Sequence, residues 1–155
     1  MRTRTIALTI VTCFVGLTLC FAGDNANMGT WKLNEAKSKL SPGVPKNTTV
    51  TYEAAGDQVK ATVEGVDDQG KATHNEWTGK FDGKDYAVTG DPSSDMRSYK
   101  IVDDRTMDLT VKKDGKVTMT GKIVLAKDGK SRTLTLNGTD AAGKKIKATA
   151  VYDKQ

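Results

Sequence analysis

Cysteine is almost missing from this chain: of 155 residues only Cys13 and Cys20 carry a thiol, and both sit in an apolar N-terminal stretch. If that stretch is removed, disulfide staples, cysteine nucleophiles and zinc–thiolate sites are excluded together, and folding rests on burial and hydrogen bonds. Histidine is rarer still, His74 being the single example. One imidazole cannot supply a metal-spaced pair, and as a general base it would need an orienting partner and a nucleophile beside it. No Gly-x-Ser-x-Gly elbow and no phosphate loop occurs, so no catalytic residue, metal site or cofactor is expected and the chain reads as a non-enzyme. Charge of one sign is lacking too. Arg2 and Arg4 account for two of the net +5, and the remaining charges are interspersed, without the one-sign stripe and interleaved aromatics of a nucleic-acid groove.

Long apolar runs are confined to the start. Arg2 and Arg4 precede a stretch from Ile6 to Ala22 broken only by threonine, glycine and cysteine. This is the layout of a secretory signal peptide over 1–22, cut after Cys20-Phe21-Ala22, with a single domain over 23–155 that is secreted or periplasmic. Two alternatives stay open: an uncleaved anchor, since about 18 apolar residues are needed to span a bilayer, and a lipoprotein acylated at Cys20. Membrane contact is expected only in those two cases. In Leu17-Thr18-Leu19, Leu19 stands where lipoprotein processing wants Gly, Ala or Ser.

What remains is rich in strand signals. Short runs of Val, Thr, Tyr and Ile are closed by turns of Asp and Gly, among them Asp82-Gly83-Lys84, Asp114-Gly115-Lys116 and Asp128-Gly129-Lys130. Asp-Gly between alternating runs predicts hairpins with type I′ turns, both central residues at positive φ. Ten strands are predicted: 29–34, 47–55, 58–66, 72–81, 84–89, 96–102, 106–113, 116–127, 131–138 and 144–152. The only helix-compatible piece is Asn34 to Leu40, with Asn34 as N-cap and Ser41-Pro42-Gly43 as the stop.

Alternation sorts the faces. Val59, Ala61 and Val63 share one side, as do Asn75, Trp77, Gly79 and Phe81, then Met107, Leu109 and Val111, then Val117, Met119, Ile123 and Leu125, and finally Ile146, Ala148, Ala150 and Tyr152. With no helix to cover that dry face, the sheet must close on itself or form a sandwich. Loop lengths favour closure. Links at 56–57, 82–83, 103–105 and 128–129 are tight and fall at one end, whereas 35–46, 67–71, 90–95 and 139–143 fall at the other, where 114–115 alone is tight. The expectation is an all-β, antiparallel up-and-down barrel of about 8–10 strands, with a pinched base and a looser mouth able to admit a ligand.

Gly29-Thr30-Trp31, at the base end of the first strand, resembles the Gly-x-Trp signature of the lipocalins and their calycin relatives. The chain also resembles small secreted bacterial proteins that open with GTWKLN and continue through Lys37-Ser38-Lys39 and Ser41-Pro42-Gly43. The lipocalin resemblance implies a ligand-carrying barrel in which a late arginine stacks on the signature tryptophan. Arg132, sharing the parity of Leu134 and Leu136, is the candidate, which makes Gly29, Trp31 and Arg132 structural. The second lipocalin signature has only a distorted counterpart in Lys84-Asp85-Tyr86. Ten strands look closer to fatty-acid-binding proteins, although 35–46 has no room for their paired helices.

The candidate ligand contacts are Tyr52, Trp77, Arg97 and Tyr99, with small residues at Ala61, Gly79, Gly121, Ala148 and Ala150 leaving space for a small hydrophobic or amphipathic molecule. Arg97 shares the parity of Tyr99, and an Arg-x-Tyr pair inside a barrel suits a carboxylate. The alternatives are that Arg97 turns into water and that side chains fill the interior, leaving an interaction or envelope-structural protein. Asp91-Pro92-Ser93-Ser94-Asp95 lacks the sharp-turn glycine and closing glutamate of a calcium loop and reads as an Asp-Pro turn.

Overall fold

The computed structural model describes residues 25–42, 44–139 and 143–155. The expected leader, its cut site and both cysteines lie outside the described residues, as do Gly43 and Ala142. Ten strands are present: β1 (Gly29–Leu33), β2 (Lys46–Ala55), β3 (Gln58–Val66), β4 (Ala72–Gly79), β5 (Tyr86–Thr89), β6 (Met96–Asp103), β7 (Thr106–Lys113), β8 (Lys116–Leu125), β9 (Ser131–Thr139) and β10 (Lys145–Lys154). Each pairs antiparallel with its chain neighbours and β1 also pairs with β10, so the meander closes into a barrel. Trp31 marks the seam, opposite Lys154 on one side and Val50 on the other.

The helix-compatible segment shrinks to one 3-10 turn, Glu35–Lys37, whose N-cap Asn34 accepts from the Lys37 amide. Two expectations about side-chain direction and turn type need correction. Val117 is 53% exposed rather than interior, because the β7–β8 register slips between Val111↔Met119 and Lys112↔Val117. The extra residue, Thr118, forms a bulge, and one inserted residue flips the strand beyond it to the other face. The type I′ geometry holds at Asp114-Gly115, with φ of 50° and 74°. At Asp82 and Asp128 only the following glycine has positive φ. There the aspartate side chain instead accepts from the amide of Lys84 or Lys130, both at 3.0 Å, which suits a longer loop.

The base half of the interior is solid. Trp77 stacks on Phe81 with centroids 6.1 Å apart and meets Tyr99 edge-on at 4.8 Å, while Tyr52 closes the group edge-on to Phe81 and Tyr99. Gly79 is required here. A Cβ at this position would lie 2.4 Å from the Tyr86 ring, so its absence lets that ring pack against Trp77. Beneath, residues 25–28 cross the base, and the Trp31 indole N–H donates to the Asn27 carbonyl at 2.7 Å. Trp31 is fully buried between two cations, with Arg132 at 4.6 Å and Lys154 at 5.2 Å from its ring.

Candidate functional site

The mouth half of the barrel holds a partly open cavity of about 200 Å³. Its wall is built by alternation on five strands: Val50, Val63, Leu109, Val111, Ile123 and Leu134 all face it. Val44, Pro45 and the Asp91–Ser93 turn form its outer end, and Tyr52, Tyr99, Tyr152 and Arg132 its floor. The small residues expected to leave space, Ala61, Gly79, Gly121, Ala148 and Ala150, do not line it, and neighbouring side chains pack over the glycines instead. Gly121 sits against Leu134 and Leu136, where a Cβ would come within 2.9 Å of a leucine methyl.

Three of the four expected ligand contacts, Tyr52, Arg97 and Tyr99, line the cavity, and Trp77 does not. Its indole belongs to the base cluster, and its N–H donates to the Arg97 carbonyl at 2.8 Å, so it holds Arg97 from behind.

Arg97 is 8% exposed and points inward rather than into water. Its guanidinium donates to Asn75 Oδ1 at 3.3 Å and to Asp91 Oδ2 at 3.4 Å. The acid is in turn held by the Ser93 amide and hydroxyl and by the Ser94 hydroxyl, at 2.6–2.8 Å. Burial pushes the Asp91 carboxyl up. The serine hydrogen bonds and the Arg97 charge outweigh it and hold the group below its ordinary value. Residues 91–95 are therefore a latched turn, with the oxygens of Asp91 consumed by their own loop.

Arg132 is more deeply buried, at 3% exposure, and lacks such a partner. Tyr52 lies 5.0 Å and Tyr152 5.4 Å from its guanidinium carbon, adding to the Trp31 stack. Among the described residues no carboxylate lies within ion-pair distance of it, and its Nε and Nη1 have no hydrogen-bond acceptor. An unpaired buried charge costs several kcal/mol after relaxation, against roughly 2 kcal/mol for a desolvated cation–π contact. The tyrosines do not supply the missing anion. Burial pushes the Tyr52 hydroxyl well up, reinforced by Tyr99 and only partly opposed by Arg132. Burial likewise pushes Tyr152 up to about 12. Both stay neutral phenols.

Sequence reasoning treats Arg132 as a structural stack and misses its place on the cavity floor. A usable signal exists: the strand residues that line the cavity include two arginines and no Asp or Glu, and the two acids at its outer end, Asp67 and Asp91, belong to loops.

His74 lies on the outer wall. Its Nδ1 is 2.6 Å from Glu64 and its Nε2 is 3.6 Å from Glu76, which also pairs with Lys60 at 2.6 Å. Among the described residues no group of three or more His, Cys, Asp or Glu is placed to hold a metal ion.

No protein-family model matches the chain. No curated protein matches it either. A solved structure, EF1p2_mFAP2b bound to DFHBI, is similar at 12% identity and a TM-score of 0.47, over 84% of this chain and 94% of that one. The fold assignment rests on the strand order itself: an all-β, closed, ten-stranded, antiparallel up-and-down barrel, which fits a calycin-like fold.

Proposed function

We propose that this protein is an exported, non-enzymatic barrel that carries a small hydrophobic or amphipathic molecule in its mouth-side cavity. One observation carries the reading: a wall of aliphatic side chains around about 200 Å³, partly open at the end opposite the aromatic plug. An apolar cavity of ~150 Å³ is enough to bind benzene. Tyr52, Arg97 and Tyr99 are the proposed contacts, and Trp77 supports Arg97 from behind. Export is supported by the basic and then apolar layout of residues 2–22. A neutral naphthalene fluorophore should bind the purified protein saturably and be displaced by other small apolar compounds. Absence of displaceable binding would remove the reading. Native mass spectrometry of the protein taken from its own host should show a co-purifying small molecule.

A further inference from the structure

The cavity is asymmetric in charge along its length. At the outer end Arg97 is paired with Asp91, and Asp91 is saturated by Ser93 and Ser94. At the floor Arg132 lines the cavity with no carboxylate in ion-pair distance among the described residues; its Nε and Nη1 are enclosed without acceptors, as is the Nε of Arg97, and its ring neighbours bring no negative charge. A buried cation with no counter-ion among the described residues is stabilised by one anionic group, and water can supply acceptors but not charge.

We infer that the cavity takes a monoanionic aromatic acid, bound head-inward, with its anionic group against Arg132 and its ring among the aliphatic wall residues. This rests on the carrier reading above and specifies its ligand class. The single charge follows from Arg132 being, among the described residues, the one cation of the lining without an ion pair, since a dianion would exchange one unpaired charge for another. The size follows from the volume: about 200 Å³ exceeds the ~150 Å³ that accommodates benzene by roughly one or two water volumes of ~30 Å³, about the bulk of a carboxylate. Orientation follows from the two ends, because an anion placed at the mouth would meet Asp67 and Asp91, and an apolar ring placed at the floor would leave the Arg132 charge unanswered.

The test is calorimetric titration of the purified protein at pH 7 with benzoate, its neutral isostere benzamide, and the dianion terephthalate. Benzoate is expected to bind at least about tenfold tighter than either, the range of a charge-assisted hydrogen bond. Arg132→Met, close in length and apolar, should keep benzamide binding and abolish the preference. If that variant does not fold, the wild-type ratios decide alone. Benzamide binding as tightly as benzoate would overturn the anion assignment and leave the carrier reading standing. Terephthalate matching benzoate would overturn the single-charge assignment. Failure of all three to bind, together with failure of the neutral fluorophore, would overturn both readings.

Discussion

Arg97 and Arg132 sit at opposite ends of one cavity, each inside a barrel, each less than a tenth exposed, and they are not equivalent. The mouth arginine is part of a local network: it gathers Asn75 and Asp91, and through Asp91 it latches the turn that frames the opening. The floor arginine stacks on three aromatic rings and, among the described residues, has no acid. Residue type and burial alone therefore say little about whether a buried cation is structural or available. The partner decides. A guanidinium whose charge is answered by its own chain stabilises a loop, whereas one whose charge is unanswered is a place for something else.

The largest effect should come from the base. Trp31→Ala removes a fully buried indole and its hydrogen bond to Asn27, and is expected to cost about 3–5 kcal/mol in urea unfolding. A loss under about 1 kcal/mol would show that the aromatic plug is not what holds the base. The two arginines should then separate. Arg97→Met leaves Asp91 without its cation and should destabilise by about 2–3 kcal/mol, whereas Arg132→Met deletes an unpaired buried charge and should be neutral or stabilising by about 1 kcal/mol. Equal losses in the two variants would break the distinction between them. Filling the cavity sharpens the same point. Val63→Phe, on the wall, should abolish binding of the neutral fluorophore while changing stability by less than about 1.5 kcal/mol.

Two pH effects should be smaller and lie at opposite ends of the scale. Asp91 is held below its ordinary 3.8, so its contribution is present above that value and is lost as pH falls through the lower folded value. Proton exchange or fluorescence should therefore show residues 91–95 loosening in acid before the base opens. His74 is raised above its ordinary 6.5, first by the hydrogen bond and then by the charge of Glu64. Its contribution is full below 6.5 and disappears as pH rises through the folded value. This pair is exposed on the outer wall, so His74→Gln should flatten the neutral limb of the stability profile only slightly and in a salt-sensitive way. Mouth binding should be untouched.

Much of the fold was legible because β-structure writes itself in period two. The strands appear within two residues of the predicted bounds at nearly every end, and the sorting of tight and long links placed the mouth correctly. Val117 was misplaced because a bulge depends on how two strands register, and neither strand alone carries that information. Asp82-Gly83 and Asp128-Gly129 look identical in sequence to Asp114-Gly115, yet their turns differ because the flanking strands end at different distances from the glycine.

The candidate site divides along the same line. That Tyr52, Arg97, Tyr99 and Arg132 face inward follows from parity, a local property of an extended chain. Trp77 also faces inward, but its ring stacks with Phe81 and leaves the cavity to others. Only the closed barrel brought the Asp91 turn onto Arg97 and kept every described acid away from Arg132. By itself, then, the sequence determined an antiparallel barrel with a pinched base, a mouth and an interior free of acidic strand residues, because alternation and turn chemistry act over a few neighbours. Tertiary structure decided which cation is paired, where the plug ends and the cavity begins, because those depend on distances between strands far apart in the chain.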